Sequence, residues 1–333
     1  MRKNLSKVIS FEAERFGYGY VFWHIIKKLT GSSHADIMMR KYHLSFLDKL
    51  SRFSHDELVR CLSELYNVVT GDTLNLSNPE NYNQKIQWLK VYDNLEIKTP
   101  LSDKYQVREW ITRKIGSEYL VPLLGVWDCP EEIDFDALPS RFCLKANHGS
   151  GMNIVVRDKS SLDIKPLLWT LRQWLAAPYG IGGYEPQYFR IPRKIIAEEY
   201  IEQPDGDLAD YKIHCFDGRP GIIQVIGSRD LKAHTALEAF YSPDWVRNDL
   251  MYHTYEQYPD ELARPVFLDE MLNVAGILSE GFRYVRVDLY HVNGSIKFGE
   301  MTFTPACGFG KWQSEDSNRT AGNMIRIGGS HEG

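Results

Sequence analysis

The amino-acid sequence predicts an α+β fold with a helical region at its amino terminus, and three observations support this class. Residues 1–75 follow helical spacing, with a possible capping box at Ser54-His-Asp-Glu57 and a stop at Gly71. Between residues 141 and 157, a strand pattern, a glycine-rich turn and a second strand pattern follow one another. Residues 286–302 have the pattern of a β-hairpin. We therefore expect helices first and antiparallel sheets after them.

Composition limits the compartment and the partners. The chain has 333 residues, of which 43% are hydrophobic and 25% charged, and its net charge is -5, so we expect a globular protein that binds no nucleic acid. Five scattered cysteines without a C-x-x-C pair predict neither a disulfide framework nor a zinc site. The apolar run from Tyr18 to Ile26 is too short to span a bilayer, and no signal peptide is evident. We predict a cytoplasmic protein whose contact with the inner face of the membrane, if any, is peripheral.

Two helices are predicted between residues 76 and 116. The segment Asn78-Pro79-Glu80 predicts a helix start, with the asparagine as cap and the proline at the first helical position. A second helix is expected to begin at Ser102 or Asp103 and to end at Gly116, with Lys104 in its first turn. A lysine there opposes the helix dipole unless an anion binds at the same place. A solvated surface lysine is the alternative.

The glycine-rich turn between residues 146 and 151 suits a flap over a phosphate group. Gly149 and Gly151 let the backbone approach phosphate oxygens, and Lys145 adds a charge at the end of the preceding strand. Ser150 and His148 lie in the same turn, where the histidine assists proton transfer, orders the turn or is simply solvated. The strand–turn–strand order differs from the Walker motif, and a plain hairpin is the alternative.

A predicted buried strand at residues 194–201 ends in acidic residues and has the character of a hinge. Glu198 is placed to accept a hydrogen bond from an adenine amine, and backbone groups near Glu199, Tyr200 and Ile201 would complete the contact. An ordinary charged strand end is the alternative.

The next strand, from Asp210 to Phe216, alternates polar and apolar side chains. Asp210, Lys212 and His214 share one face. Asp210 suits a ribose hydroxyl and Lys212 a phosphate, although any half-exposed strand shows such alternation.

Helices are predicted over residues 164–176 and 268–280, whereas residues 228–265 are expected to be irregular. We expect the contacts to a second substrate in residues 179–194 and 228–265. The candidate partners for a carboxylate there are Arg190, Arg193, Lys194 and Arg229.

The hairpin has two possible registers. Asn293-Gly294 separates its strands, which is a strong hairpin signal. A two-residue loop would place Asp288 opposite Gly299 and turn Glu300 to the other face. We predict instead a loop of odd length, with Gly294 left-handed in a bulge.

The odd loop would bring Arg286, Asp288, Glu300 and Thr302 together on one face. Two neighbouring carboxylates repel each other, so a site that keeps both requires a cation. Oxygen ligands without cysteine suit Mg²⁺, which takes one or two carboxylates and completes its coordination with phosphate and water. A solvent-facing hairpin edge is the alternative.

Taken in order, these segments resemble the ATP-grasp superfamily, and most closely its TupA-like branch, named for a teichuronopeptide biosynthesis protein. The resemblance covers roughly residues 76–325 and rests on five segments: Asn78-Pro79 with Tyr82 to Lys90, Ser102 to Tyr105, Leu144 to Gly151, Arg286 to Tyr290, and Gly299 to Pro305. It implies an ATP-grasp fold, in which two α+β lobes sandwich ATP. The expected division is a helical region over 1–75, an amino-terminal lobe over 76–135, a nucleotide-binding and catalytic domain over 136–325 and a flexible tail over 326–333.

Similarity to D-alanine–D-alanine ligase-like enzymes implies a role for each site residue. Lys104 and Lys145 resemble the phosphate lysines, Glu198 to Ile201 the adenine hinge, Asp210 the ribose-binding acid and Lys212 a further phosphate contact. Arg286 resembles the arginine that stabilises the reaction intermediate, so that Arg286, Lys212 and Lys145 form the expected catalytic set. Asp288 and Glu300 resemble magnesium carboxylates, and Thr302 stands where an asparagine is usual, which puts a second metal in doubt.

The resemblance implies an ATP- and Mg²⁺-dependent carboxylate–amine ligase that acts through an acyl phosphate. The expected substrates are a carboxylate, such as a uronic acid of a bacterial surface polysaccharide, and an amine or amino acid. A kinase that stops at phosphoryl transfer is one alternative. A non-catalytic polysaccharide-binding or glycosyltransferase accessory protein is the other. Phosphate release that requires both carboxylate and amine would distinguish the ligase.

Overall fold

The computed structural model describes residues 9–328 except 11, 17, 31–32, 51–52, 202–207, 231–234, 249 and 251–254. The expected tail lies largely outside the described residues. Within the described part, no helix combines the length and apolar character needed to cross a membrane. All five cysteines are free.

The described part of the amino-terminal region is helical and includes α1 (Tyr18–Thr30), α2 (Ser33–Leu50) and α3 (His55–Thr70). The predicted capping box is confirmed, because the Ser54 and Glu57 side chains each accept from the other's backbone N–H. Gly71 ends α3 in the left-handed conformation, at φ 86°. Apolar side chains of α2 and α3 pack with Ile181 and Tyr184, which attaches this region to the rest of the chain.

The helices that follow are α4 (Tyr82–Tyr92), α5 (Lys98–Ser102) and α6 (Val107–Lys114). The predicted cap at residue 78 is wrong, because Asn81 caps α4 by accepting from the Gln84 N–H. Lys104 was expected inside a helix but lies in the turn between α5 and α6. The Asp103 carboxylate accepts the backbone N–H groups of residues 105 and 106, and this local pairing separates the two helices.

A four-stranded antiparallel sheet has the order β1-β4-β2-β3. Its strands are β1 (Leu123–Trp127), β2 (Phe142–Ala146), β3 (Asn153–Val156) and β4 (Ile195–Glu199). Helix α7 (Ile164–Ala176) packs Leu167 and Leu171 against one face. Because β1 pairs with β4, this sheet spans the division expected near residue 135.

The second sheet has the order β11-β10-β5-β6-β7-β8, and β9 pairs with β7. Its strands are β5 (Asp210–Phe216), β6 (Arg219–Asp230), β7 (Thr235–Tyr241), β8 (Arg247–Asn248), β9 (Glu256–Gln257), β10 (Tyr284–Val292) and β11 (Ser295–Thr302). Residues 228–265 were expected to be irregular. That prediction is wrong in part, since β7 to β9 and the end of β6 lie there.

Helices α8 (Leu268–Ser279) and α9 (Glu315–Asn323) complete the described elements. One face of the second sheet, with Ile213, Val285 and Val287, packs against α6 and α8. Since side chains alternate along a strand, residues 210, 212, 214, 286 and 288 project from the opposite face. The hydrophobic packing thus decides which polar residues are left to line a cleft.

The hairpin of β10 and β11 differs from our prediction in its loop. Val292 pairs with Ser295, so the loop has two residues, and both have positive φ, 49° at Asn293 and 77° at Gly294. The predicted odd loop is wrong, because an Asn-Gly pair already satisfies this tight turn.

Arg286, Asp288, Glu300 and Thr302 nevertheless share a face, because β11 contains a bulge beyond the loop. Leu289 pairs with Phe298 and Asp288 with Glu300, which leaves Gly299 as an extra residue in β11. Arg286 then lies opposite Thr302.

Candidate functional site

A cleft of about 530 Å³ lies between the two sheets, within the range of small-molecule sites. Both sheets contribute to its walls. From the first sheet and its turns come Lys145, Gly149, Ser150, Gly151, Met152 and Asn153, and Lys104 comes from the turn between α5 and α6. From the second come Asp210, Lys212, His214, Gln224, Ile226, Arg229, Arg286, Asp288, Tyr290, Gly299 and Glu300, and Tyr255, Pro305 and Ala306 complete it.

The side chains that the second sheet contributes form the floor of the cleft. Arg286 is the centre of the charge network on this floor. Its guanidinium donates to both Asp288 carboxylate oxygens, from Nε at 2.6 Å and from Nη2 at 2.7 Å. Nη2 also lies 3.1 Å from Glu300 Oε1 and from Thr302 Oγ1. Burial alone would lower the arginine pKa, but the charge of Asp288 raises it well above its usual value. Arg286 therefore remains a fixed cation.

Thr302 is almost fully buried and does not line the cleft. Its hydroxyl accepts from Arg286 and lies 3.1 Å from Glu300 Oε1, to which it donates. In this arrangement Thr302 orients the arginine and the glutamate. Its direct contact with a metal stays a prediction.

Lys212 joins two of the floor carboxylates. Its Nζ lies 2.5 Å from Asp288 Oδ2 and 2.6 Å from Asp210 Oδ2. Burial would lower the lysine pKa, but the charges of Asp210 and Asp288 raise it above the usual value. Arg229, which we expected near a second substrate, donates to the same Asp210 oxygen at 2.9 Å. The other oxygen, Asp210 Oδ1, is buried without a hydrogen-bond partner among the described residues, although its residue lines the cleft.

On the opposite wall, Lys145 projects from β2 and pairs with Glu198 on the neighbouring strand. The Nζ–Oε2 distance is 2.6 Å. Arg108 holds the other carboxylate oxygen at 3.1 Å and also donates to the Val121 carbonyl. Glu198 is thus shared by two cations. Sequence reasoning missed Arg108, because no local pattern indicates a partner 90 residues away.

Lys104 contacts both sides of the cleft. It donates to the Gly149 carbonyl in the glycine-rich turn, and its Nζ lies 3.7 Å from Glu300 Oε2 on the floor. The helix-start argument for Lys104 was wrong, yet the side chain lines the cleft. Its placement comes from the turn between α5 and α6, where its backbone N–H donates to the Asn147 carbonyl.

His148 is buried and absent from the cleft lining. Nε2 lies 3.2 Å from the Ala177 carbonyl at the end of α7, and burial lowers its pKa to about 4. The geometry favours ordering of the turn by His148 over proton transfer or a solvated side chain. The predicted hinge, from Glu198 to Ile201, does not line the cleft. Glu198 is buried and Glu199 is exposed, while Tyr200 and Ile201 are half-buried where the chain leaves the first sheet.

The remaining basic candidates point elsewhere. Arg193 donates to the Leu175 carbonyl and Lys194 pairs with Asp128 at 2.6 Å. Arg190 lines a different cavity of about 330 Å³, beside the amino-terminal helices.

A left-handed turn after Pro305 contributes to the cleft lining and was not predicted. Ala306, Cys307 and Gly308 have φ of 45°, 56° and 66°, and such values are unusual for the first two residue types. Lys90 holds the turn by donating to the Cys307 carbonyl at 2.6 Å. The sequence signal was Pro305 followed by small residues, which alone does not specify this geometry.

The floor carboxylates fit Mg²⁺. Asp288 and Glu300 supply only oxygen atoms and face each other across neighbouring strands. Among the described residues, no group of three or more His, Cys, Asp or Glu side chains is placed to hold a metal ion alone. A magnesium ion here would complete its coordination with water and with oxygen atoms of a phosphate-bearing molecule, which is the usual arrangement for Mg²⁺.

Two α+β units on either side of a cleft lined by lysines and carboxylates have the architecture of an ATP-grasp protein. Residues 84–326 match the model of the TupA-like ATPgrasp family, and the chain therefore belongs to that family. The predicted superfamily, branch and fold class are confirmed. No curated protein shows significant similarity to the chain.

Solved structures that match the chain include two ligases and a synthetase. D-Alanine–D-alanine ligase from Bacillus anthracis is 18% identical with a TM-score of 0.39, and the match covers 61% of this chain and 57% of that one. A RiPP-associated ATP-grasp ligase from Chryseobacterium gregarium is 12% identical with a TM-score of 0.37, covering 73% and 65%. N5-carboxyaminoimidazole ribonucleotide synthetase from Thermus thermophilus is 15% identical with a TM-score of 0.31, covering 61% and 45%. The match thus spans little more than half the length of the Bacillus enzyme.

Proposed function

We propose that this protein is an ATP-dependent carboxylate–amine ligase that forms an amide bond through an acyl phosphate. The observation that carries the proposal is the convergence of Lys212, Arg286, Asp288 and Glu300 on the cleft floor, opposite Lys104 and Lys145. Family membership supports ATP as the phosphoryl donor. No side chain has to act as a nucleophile, since the substrate carboxylate attacks the γ-phosphorus. The bond from that phosphorus to the β–γ bridging oxygen breaks, and ADP leaves.

The nucleotide is proposed to lie between the sheets. Asp210 Oδ1, buried and without a partner in the described part of the chain, suits a ribose hydroxyl. The strand end from Glu198 to Ile201 is proposed to contact adenine, mainly through its backbone, because the Glu198 carboxylate already pairs with two cations. Gly149, Ser150 and Gly151 would cover the phosphates.

Asp288 and Glu300 are proposed to hold Mg²⁺ together with ATP phosphate oxygens. Bound Mg²⁺ would neutralise charge on those oxygens and help to orient them for transfer. In the structure both carboxylates pair with Arg286, and Asp288 also pairs with Lys212. The side-chain cations of Arg286 and Lys212 therefore neutralise the two carboxylates to which Mg²⁺ would bind.

The protein's own residues supply the rest of the electrostatics. Lys104, Lys145 and Lys212 offset the charge of the transferring phosphoryl group. Arg286, a cation in a buried position, stabilises the tetrahedral oxyanion that forms when the amine attacks the acyl phosphate. The carbon–nitrogen bond forms as the carbon–oxygen bond to phosphate breaks. The amine gives up a proton that the departing phosphate takes up, so the products are the amide and inorganic phosphate.

We further propose that the carboxylate belongs to a uronic acid of a bacterial surface polysaccharide and that the amine is an amino acid. Support comes from the TupA-like branch and the open, polar cleft. Free cysteines suit a reducing compartment, and we place the reaction in the cytoplasm, where ATP is available.

Calorimetric titration of Mg²⁺ and ATP into the native protein, Glu300→Gln and Glu261→Gln tests the nucleotide site. Glu261 is exposed and outside the cleft, so its variant is the matched control. We expect magnesium-dependent binding that weakens at least about tenfold only in Glu300→Gln. Absence of ATP binding by the native protein would refute the proposal.

Phosphate release is then measured with uronate oligosaccharides and a panel of amino acids. A ligase releases phosphate and ADP only when carboxylate and amine are both present. ADP formation with the saccharide alone, without free phosphate, would identify a kinase instead.

A further inference from the structure

A second cavity, of about 330 Å³, lies beside the amino-terminal helices and shares no lining residue with the cleft. Its volume is at the lower end of the range for small-molecule sites. The walls come mainly from α2, α3, α4 and the segment between α7 and β4. The proposed function assigns no role to this cavity.

Most of the cavity lining is apolar. Leu50 and Leu62, from α2 and α3, are buried, while Val91 of α4 and Phe189 are half-buried. A ligand that covers these side chains removes apolar surface from water on both sides of the contact, which is favourable. The walls therefore suit a hydrocarbon body and offer little to a sugar, whose hydroxyl groups would be left without partners there.

The two exposed members of the lining, Asn94 and Arg190, are polar. Neither side chain has a hydrogen-bond or ion-pair partner within the part of the chain that the structure describes. Arg190 was predicted to bind a carboxylate, and the structure places it at this cavity instead of the cleft. Its guanidinium can donate two parallel hydrogen bonds to a carboxylate or phosphate. The exposed mouth of the cavity thus offers donors to an anionic group.

The charged residues of the lining are both cations. They are Lys90 and Arg190, and no acidic residue from the described ranges lines the cavity. Lys90 is 5% exposed, and burial lowers its pKa to about 8, an effect that the charge of Glu185 outside the lining offsets in part. Its Nζ donates to the uncharged oxygens of Gln87, Gly183 and Cys307 and has no carboxylate within ion-pair distance among the described residues. The cavity therefore attracts anions and repels cations.

We propose that this cavity binds an aliphatic anion, whose hydrocarbon chain lies against the apolar walls while its carboxylate or phosphate head pairs with Arg190 and Asn94. The guanidinium and the side-chain amide are both donors, as an anionic head requires. The proposal is independent of the proposed function, because the residues that carry it do not line the cleft.

Calorimetric titration of decanoate, decylammonium and octanoate into the native protein tests the site. Decanoate and decylammonium have chains of the same length and heads of opposite charge, so we expect decanoate to bind at least about tenfold more tightly. It should also bind about tenfold more tightly than octanoate, since each buried methylene group contributes a factor of about four. Decyl phosphate in the same assay distinguishes a phosphate from a carboxylate head, and selective binding of either anion supports the proposal.

Two variants with matched controls locate the ligand. Arg190→Met removes the charge and keeps an apolar stem, and it should weaken decanoate binding about tenfold. Arg157→Met, exposed and outside the lining, is its control. Val91→Phe fills part of the cavity and should also weaken binding about tenfold, whereas Val155→Phe, on the exposed side of β3, should bind normally. Circular dichroism and thermal unfolding verify the fold of each variant.

The proposal would be overturned by equal affinity for decanoate and decylammonium, or by the failure of both decanoate and decyl phosphate to bind. Normal decanoate binding by folded Arg190→Met or folded Val91→Phe would overturn it as well. Titration with Mg²⁺ and ATP reports on the cleft separately, so the failure of one proposal is distinguishable from the failure of the other.

Discussion

Asp288 and Glu300 face each other across neighbouring strands although the loop between those strands has only two residues. Such a loop would otherwise turn Glu300 to the other face. The extra residue at Gly299 corrects the register between Phe298 and Glu300. The pairing of these carboxylates therefore depends on one glycine.

Gly299→Ala should disrupt this register. A β-carbon at this position would lie 2.8 Å from Tyr290 Cε2 and 3.1 Å from the Asp288 carbonyl oxygen, so the bulge must shift. We expect the Kd for Mg²⁺-ATP to rise about tenfold, measured by calorimetry. Gly276→Ala in α8 is the control, because its β-carbon would meet nothing closer than 3.9 Å. Unchanged binding by Gly299→Ala would show that the site does not require the bulge.

The hairpin turn should be sensitive to residue type. Gly294 has φ 77°, and Gly294→Ala should lower the free energy of unfolding by about 1 kcal/mol, because a β-carbon is unfavourable in the left-handed region. Asn293→Gly should change it by less than about 0.5 kcal/mol, since glycine accepts the φ of 49°. Urea denaturation measures both, and equal effects would contradict the turn geometry.

Glu198→Gln should be strongly destabilising. The substitution removes the anion shared by Lys145 and Arg108, and it leaves two partly buried cations without their partner. The expected loss is about 3 kcal/mol in the free energy of unfolding. Glu199→Gln, at the exposed neighbouring position, should stay within about 0.5 kcal/mol of the native protein. Similar losses for both variants would argue against the shared ion pair.

Acid should destabilise the fold partly through His148. Its folded-state pKa of about 4 lies below the ordinary value of 6.5, so the unfolded chain takes up the proton first as the pH falls. The free energy of unfolding should therefore decrease between about pH 6.5 and pH 4, by up to about 3 kcal/mol from this residue, with no contribution above that window.

His148→Gln should flatten this dependence in denaturation curves recorded across the window, since glutamine does not titrate. His43 and His214 have pKa values lowered in the same direction, so part of the slope should remain. His55→Gln is the exposed control and should keep the full native slope. An unchanged slope in His148→Gln would contradict the buried neutral histidine.

Much of the fold followed from local signals. The capping box of α3, the Asn-Gly turn, the alternation along β5 and the glycine-rich turn after β2 involve residues only a few positions apart. Backbone conformation at such places is decided by the side chains on the spot. The predicted start of α4 failed for the same reason, since Asn78 and Asn81 are both good caps and the local pattern does not distinguish them.

The sequence by itself determined the class of elements and about half of the residues that line the cleft, because periodicity and turn chemistry are local properties. Its resemblance to known proteins indicated the family. Only the tertiary structure decided the bulge at Gly299, the sharing of Glu198 by Lys145 and Arg108, and the contact between His214 and Tyr284. Tyr82 and Tyr284, which orient that histidine, are 202 residues apart. Such contacts depend on how sheets and helices pack, and the free energies that select them are summed over the whole core.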